Sequence, residues 1–432
     1  MRSRAANLTP CRWNCACPLP APCPSLFPAP SPLDVILSHR LPPSLSLALS
    51  AGGFEQSHYA LAAANASVYA GDPYHLNASG LVGDGNPGYW HMRYYVAVSK
   101  AHADIFRSVF GAGSVGKGAR VRPVYAWQCG GGHEVGLAYL LQVYGEPAQT
   151  FHSMACAPYA TIGDAANSPS LTTEQVLDGW RSYQQNISLA GPWGLGSVNY
   201  VAGMACTAAY YGLDFVSYES GPDTVQGLDA GQPLWAKGNA SADARIEPIV
   251  FDYLQSWHAY GQFMGPQNYY TLGAGPLDDR YGIYSVLQDM QHPDTPKLAA
   301  IDRARASAVA VSPLIPALPA ALNASFFAGH PTPATPNGFN GWPADVYYLV
   351  QAAAPLRVVV TLSAGSDDSS AATMAIGLGG VARNEQNVTC ESSGNWASYR
   401  NCSASAPFDV PAGVSVFRVS RGRPWLGMVY IE

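Results

Sequence analysis

The residues best placed for chemistry lie in one pentapeptide, Tyr218-Glu219-Ser220-Gly221-Pro222. It follows Leu213-Asp-Phe-Val-Ser217, which reads as a buried strand, so Glu219 stands at a strand's C-terminal end before a Gly-Pro turn. Parallel α/β folds place their reactive groups at that edge. A carboxylate closing an apolar strand has to be paired or used, because a buried charge without a partner is strongly disfavoured. The structural alternative is a helix cap or an ion pair. Other side chains end strands of the same kind and by position would line a substrate cleft: Trp127, Gln128, Tyr159, Tyr218, Asn268 and Tyr270. Packing is the alternative for each. His133-Glu134 follows Cys129 and a run of three glycines, but the sequence offers no further ligands for a metal. The glycine run also lacks the lysine and the spacing of a phosphate-cradling loop. No metal and no cofactor are therefore expected. Trp257-His258 reads as a core aromatic beside a satisfied histidine.

These residues need elements to hold them, and from residue 54 onward helical and strand patterns alternate. An Ala-rich helix is predicted at Glu55–Tyr69. Pro87–Phe110 carries Tyr95, Val98, His102, Ile105 and Val109 as a helical stripe. Strands are predicted at 120–128, 151–157, 213–219 and 267–273, with helices at Glu134–Tyr144, Thr173–Ile187, Tyr200–Tyr211, Arg245–Phe263, Tyr281–Asp289 and Pro296–Ala308. Strands alternating with helices of this length imply a parallel α/β sheet. Pro313–Pro336, rich in Pro and Ala, reads as a stiff linker across 311–337. Beyond it the apolar period shortens to two, and residues 338–432 read as an antiparallel β-sandwich.

The order of these pieces resembles a family. The Tyr218-Glu219 strand end follows a helix closing on Tyr210-Tyr-Gly-Leu213. Helix His91–Phe110 leads into Arg120-Val-Arg-Pro-Val124. Ala157-Pro-Tyr159 ends a strand, and Pro296-Lys-Leu298 opens a helix. Across residues 53–310 this looks like the later half of retaining glycoside hydrolases of the large (β/α)-barrel clan. It is most similar to bacterial and algal relatives that carry a C-terminal carbohydrate-binding module. Gly394-Asn-Trp396-Ala-Ser-Tyr399 and Pro411-Ala-Gly413 resemble such modules, with Trp342, Tyr347, Trp425 and Tyr430 as stacking candidates. The resemblance implies Glu219 as nucleophile and polysaccharide or oligosaccharide as partner. It implies an acid/base glutamate after Asn, just upstream of the helix at 54–69, where Leu47-Ala-Leu-Ser-Ala-Gly-Gly53 stands instead. Glu55 is the nearest carboxylate and lacks the preceding Asn. Retaining hydrolysis uses two carboxyl groups about 5–5.5 Å apart, so the expectation is a glycosidase-like protein that is inactive or incomplete as written. The alternative is a non-catalytic, secreted carbohydrate-binding glycoprotein.

Length leads to the same place. Four further strand–helix units would take on the order of 120 residues. The stretch before the first helix is short and Pro-rich, holds Cys11, Cys15, Cys17 and Cys23 without a zinc spacing, and reads as disordered over 1–50. The fold class expected is thus α/β, a partial (half) TIM barrel followed by an antiparallel β-sandwich. Leu45–Ala51 lies too far from Met1 to serve as a signal peptide.

Composition bounds the partners. A net charge of −6 with no basic run argues against nucleic acid and anionic membrane, and no apolar run is long enough to span a bilayer. Eight Asn-x-Ser/Thr sequons, at Asn7, Asn65, Asn77, Asn186, Asn239, Asn323, Asn387 and Asn401, read as those of a secreted glycoprotein. Cys390 and Cys402 are expected to pair, whereas Cys129, Cys156 and Cys206 read as isolated, buried thiols.

Overall fold

The chain divides into two units, Met1–Leu61 and Ala62–Glu432. The computed structural model describes residues of the second, from Trp90 to Glu432, apart from 128, 130–132, 163–164, 166–167, 190–199, 224–233, 274–283, 288–290, 309, 324–344, 367–370 and 421–424. The expectations for residues 1–50, for Glu55 and its helix, for Gln128 and for Trp342 therefore lie outside the described residues.

Helix α1 (Trp90–Phe110) buries Met92, Val96, Ala97 and Ala103 along one face. Strand β1 (Val124–Ala126) and helix α2 (His133–Tyr144) follow, then β2 (Ser153–Cys156), the two-residue β3 (Ala160–Thr161) and α3 (Thr173–Ile187). Thr172 and Gln175 cap α3 reciprocally. Gln175 N–H donates to Thr172 Oγ1 at 3.3 Å, and Thr172 N–H donates to Gln175 Oε1 at 2.9 Å. Helix α4 (Tyr200–Tyr210) runs into β4 (Asp214–Ser217), β5 (Pro222–Asp223), α5 (Leu234–Ala242), α6 (Ile246–His258), β6 (Met264–Gln267) and α7 (Pro296–Ala306). Strands β1, β2, β4 and β6 form a four-stranded sheet in that order, every pair parallel. All four residues of β2 are buried, as expected of a parallel strand covered on both faces.

Several expectations shift. The last parallel strand is Met264–Gln267 rather than 267–273, because Met264 pairs with Phe215 and the chain beyond Gln267 is drawn to Ser217 and Ser220. Helix α6 stops at His258, where Ala259–Gly261 turn away. The described part of the segment read as a helix at Tyr281–Asp289 is extended. Val286 and Leu287 donate to the carbonyls of Thr271 and Leu272, each at 2.9 Å. Helix α5 escaped the sequence reading because Gly238, Asn239 and Ser241 are poor helix formers; its fully buried Ala236 and Ala240 hold it against the core. Cys129 and Cys156 are not isolated thiols but a disulfide with Cα atoms 5.1 Å apart. Parallel pairing of Ala126 with Ala155 sets the ends of β1 and β2 side by side, a proximity that residue spacing cannot show. Cys206 is a buried free thiol, as read.

Two antiparallel sheets follow, ordered β13-β10-β16-β7 and β12-β11-β15-β8. They comprise β7 (Ala320–Asn323), β8 (Asp345–Ala352), β10 (Val360–Ser366), β11 (Ala372–Leu378), β12 (Asn384–Cys390), β13 (Asn395–Ser403), β15 (Gly413–Ser420) and β16 (Trp425–Ile431), with a separate pair β9 (Leu356–Val358) and β14 (Phe408–Val410). Leu362, Ile376, Val388, Phe417 and Val429 from both sheets share one core, which makes a sandwich. Cys390 and Cys402 pair across it, Cα atoms 5.2 Å apart. The stretch read as a linker contributes β7, whose Leu322 pairs with Val429.

Strand β8 explains its own sequence. Val346, Tyr348 and Val350 face the sandwich core, while Tyr347 and Leu349 join the core of the parallel sheet. A strand covered on both faces has no need of polar alternation. The helix before β4 closes on Gly212, at φ +72°, where an added Cβ would come within 2.7 Å of the Val381 backbone. Gln262 bridges further on: its amide accepts from Val414 N–H at 2.9 Å and donates to the Val414 carbonyl at 2.6 Å.

Candidate functional site

Beyond Ser217 the chain leaves β4 and is fixed from several directions. Tyr218 N–H donates to the Cys156 carbonyl at 3.2 Å. Ser220 is fully buried, and its hydroxyl donates to the Asn268 carbonyl at 2.9 Å. The Ser220 carbonyl accepts from Tyr270 N–H at 2.9 Å, and the Gly221 carbonyl accepts from Ala160 N–H at 2.9 Å. Tyr253, on α6, accepts from Gly221 N–H at 3.4 Å and donates to the Pro158 carbonyl. Gly221 sits at φ +124° with the Tyr269 ring 2.9 Å from where a Cβ would be, so only glycine makes this turn. Buried hydrogen bonds on both sides of one residue fix the backbone from which its side chain projects.

That residue is Glu219, half-buried at the C-terminal edge of the parallel sheet. Burial pushes its carboxyl above the ordinary glutamate range, and a hydrogen bond from the Tyr159 hydroxyl draws it back down. Burial, the Glu219 charge and Tyr95 together push the Tyr218 phenol up. Among the described residues, the influences on Glu219 are burial and Tyr159, and neither is a second carboxylate.

Aromatic rings flank the carboxylate. Tyr159 packs against Tyr284 with ring centres 5.4 Å apart, and Tyr284 meets Tyr270 edge-on at 5.6 Å. Trp127 lies 5.6 Å from Tyr95 of α1. Tyr218 and Tyr270 keep 38% and 44% of their surface exposed, enough to offer ring faces to a ligand.

Of the residues singled out in the sequence, Glu219 and Tyr159 touch. Tyr218 adjoins them, and Tyr270 joins through Tyr284. Trp127 belongs to the Tyr95 side of the edge. Asn268 is instead used internally: its backbone N–H donates to Ser217 Oγ at 2.9 Å and its side-chain amide to the Ser217 carbonyl at 2.8 Å. Tyr347 is fully buried and hydrogen-bonded to Glu134, so it packs rather than stacks. Trp257 is core, its ring 4.9 Å from Phe215. The side chains of Trp396 and Trp425 lie outside the description, and Tyr430 is half-buried.

Two contributors escaped sequence reading. Tyr284 sits in the segment taken for a helix. Lys297, noted only within its motif, is fully buried at the start of α7, and its ammonium donates to the Ser285 carbonyl at 2.8 Å. Burial pushes this amine down to about 7. Thr295 adds a bond from its hydroxyl to the Val286 carbonyl at 2.9 Å while capping α7. Together they hold the segment that bears Tyr284. Among the described residues no group of three or more His, Cys, Asp or Glu side chains is arranged to hold a metal. No described helix is long and apolar enough to cross a membrane.

No family model matches the sequence, and no curated protein matches it. Among solved structures, a family 35 carbohydrate-binding module from Cellvibrio japonicus Abf62 is 17% identical, covering 25% of this chain and 72% of its own, at a TM-score of 0.20. The module CsCBM6-3 from Clostridium stercorarium, in complex with cellobiose, is 14% identical over 27% of this chain and 96% of its own, at 0.23. A ruminal GH26 endo-beta-1,4-mannanase is 12% identical over 27% of this chain and 26% of its own, at 0.21. A likeness of this extent assigns neither fold nor activity to this chain.

Proposed function

We propose that this chain is a carbohydrate-active, glycoside-hydrolase-like protein of the retaining type that works outside the cell. Its parallel sheet is read as half of a (β/α) barrel and its sandwich as a binder of polysaccharide or oligosaccharide. The supporting observation is Glu219: a half-buried carboxylate, hydrogen-bonded to Tyr159 and flanked by tyrosine rings, at the C-terminal edge of parallel strands taken in sequence order. Two disulfides among the described residues suit an oxidising compartment.

On this reading Glu219 supplies half of a retaining reaction. Its ionised carboxylate can attack an anomeric carbon, forming a glycosyl ester as the bond to the leaving oxygen breaks. A natural glycan leaves as an alkoxide that needs a proton, and no described carboxyl group is placed to give one. The lack of a proton donor among the described residues favours the second reading, a carbohydrate-binding protein without turnover. A dinitrophenolate leaves without protonation, so a dinitrophenyl fluoro-sugar separates the two. We expect a single glycosyl adduct on Glu219, seen by intact mass and peptide mapping and absent in Glu219→Gln, with no release of sugar from natural glycans. Natural-glycan turnover that survives Glu219→Gln would place the chemistry elsewhere. Loss of turnover in both Glu219→Gln and Glu55→Gln would make Glu55 the acid.

A further inference from the structure

The sandwich has four outer strands among the described residues: β7 and β13 in one sheet, β8 and β12 in the other. An outer strand presents unpaired backbone groups to any second chain that comes within about 4.8 Å, the spacing of paired strands. Strand β8 is met by its own chain near its C-terminal end, where Gln351 N–H donates to the Pro316 carbonyl and the Gln351 carbonyl accepts from Leu318 N–H, both at 2.8 Å. No described strand pairs with the open sides of β7, β12 and β13.

The sequons of the sandwich follow this division. Asn323 ends β7, Asn387 lies in β12 and Asn401 in β13, and each is exposed. Strand β8 carries none, and neither do the inner strands β10, β11, β15 and β16. Alternation fixes the outward aim on β12 and β13. Val388, Cys390 and Cys402 point into the core, leaving Asn387 with Thr389, and Asn401 with Ser403, on the outer face. The Cys390–Cys402 disulfide ties these two edge strands together, so both asparagines flank the same rim.

We propose that Asn323, Asn387 and Asn401 carry N-linked oligosaccharides whose role is to keep the open sandwich edges from pairing with a second chain. In the modification, the asparagine amide nitrogen bonds to the anomeric carbon of a lipid diphosphate-linked oligosaccharide. The carbon–oxygen bond to the diphosphate breaks, and the amide proton passes to a base. The hydroxyl two residues on completes each acceptor. A glycan rooted on an edge strand occupies the volume that an incoming strand would need.

This inference rests on the secretory route proposed above, so the test imposes that route. The full chain is expressed behind a secretion leader in a eukaryotic host, and the secreted protein is mapped by peptide mass before and after N-glycan removal. Glycans are expected at all three asparagines. Enzymatic removal from the folded protein is expected to raise self-association by light scattering at least a few-fold, with near-ultraviolet circular dichroism unchanged. Because the glycans are removed after folding, a folding defect cannot mimic the result. Asn387→Gln/Asn401→Gln should associate likewise, whereas Asn387→Lys/Asn401→Lys should stay monomeric, since an edge lysine blocks pairing by charge. Bare asparagines in the secreted protein would overturn the proposal. So would a monomer fraction that ignores glycan removal, or a lysine variant that associates like the glutamine one. Failure of the fluoro-sugar to label Glu219 leaves these readouts untouched.

Discussion

At the scale of single residues, the Tyr159 hydroxyl is the described group that favours the ionised form of Glu219 against burial. Tyr159→Phe removes that bond and leaves burial unopposed, so the carboxyl moves further up. The acid limb of the pH profile for adduct formation should then shift to higher pH, with the alkaline plateau retained; an unshifted limb would show that the hydroxyl does not act on Glu219. Lys297 carries a prediction of its own. Its amine ionises at about 7 in the fold against 10.5 as an ordinary lysine. The unfolded chain therefore binds the extra proton between those values, and stability rises with pH across that window. The contribution is complete above 10.5 and is lost as pH falls through about 7. Lys297→Met should flatten this slope, a change on the order of a few kcal/mol, in denaturant titrations run at several pH values. Loss of the bond to the Ser285 carbonyl should also loosen the Tyr284 segment, read as faster hydrogen exchange at residues 284–287.

At the scale of elements, the site depends on strands being locked end to end. The Cys129–Cys156 bond closes a loop of 27 residues between the ends of β1 and β2. Cys129→Ala/Cys156→Ala should lower unfolding free energy by about 3.5 kcal/mol, the chain-entropy expectation for a loop of this size, measured by urea denaturation. Tyr218 N–H bonds to the Cys156 carbonyl, so the same variant should slow labelling of Glu219 as well. Unchanged labelling at unchanged fold would show that the disulfide serves stability alone.

At the scale of the whole molecule, the parallel sheet and the sandwich meet over a buried charge cluster. Glu134 at the start of α2 shares a hydrogen bond with Asp345 of β8 and lies against Tyr347, Tyr211 in the turn after α4, and Arg418 of β15. Arg418 also pairs with Asp345 at 3.1 Å and with Glu385 at 2.8 Å, and Tyr210 donates to Glu385. Burial, with the neighbouring Asp345 next, pushes the Glu134 carboxyl well above the usual 4.5. A raised folded value means that the fold holds the extra proton. The contribution is therefore complete below 4.5 and is lost as pH climbs through the folded value. Glu134→Gln keeps the shape and a donor toward Asp345 without a titrating proton, so it should remove this loss. The sign is opposite to that of Lys297, and the two variants should bend the stability–pH curve at different ends. A wild-type curve that matches Glu134→Gln throughout would show that Glu134 does not titrate at the interface.

Several features were legible in the sequence because they are local. Alternating helical and strand patterns located the first three parallel strands, with Glu219 just past the end of β4, and set the fourth a few residues too late, since periodicity records which face a residue buries and not where a strand's pairing stops. The twelve-residue separation of Cys390 and Cys402 in a strand-rich tail pointed to their pairing. Other features exist only through space. Ala126 beside Ala155 makes Cys129 and Cys156 partners. The chain beyond Gln267 bends to Ser217, which turns Asn268 from a candidate ligand into a brace. An extended segment brings Tyr284 between Tyr159 and Tyr270. The apolar run of β8 signals burial on both faces without naming what covers them, and only the packed fold shows that Tyr347 meets Glu134 there. Local pattern marks most of the elements and the face each one buries. Contacts between distant segments depend on how those faces dock, and a one-dimensional pattern does not encode that.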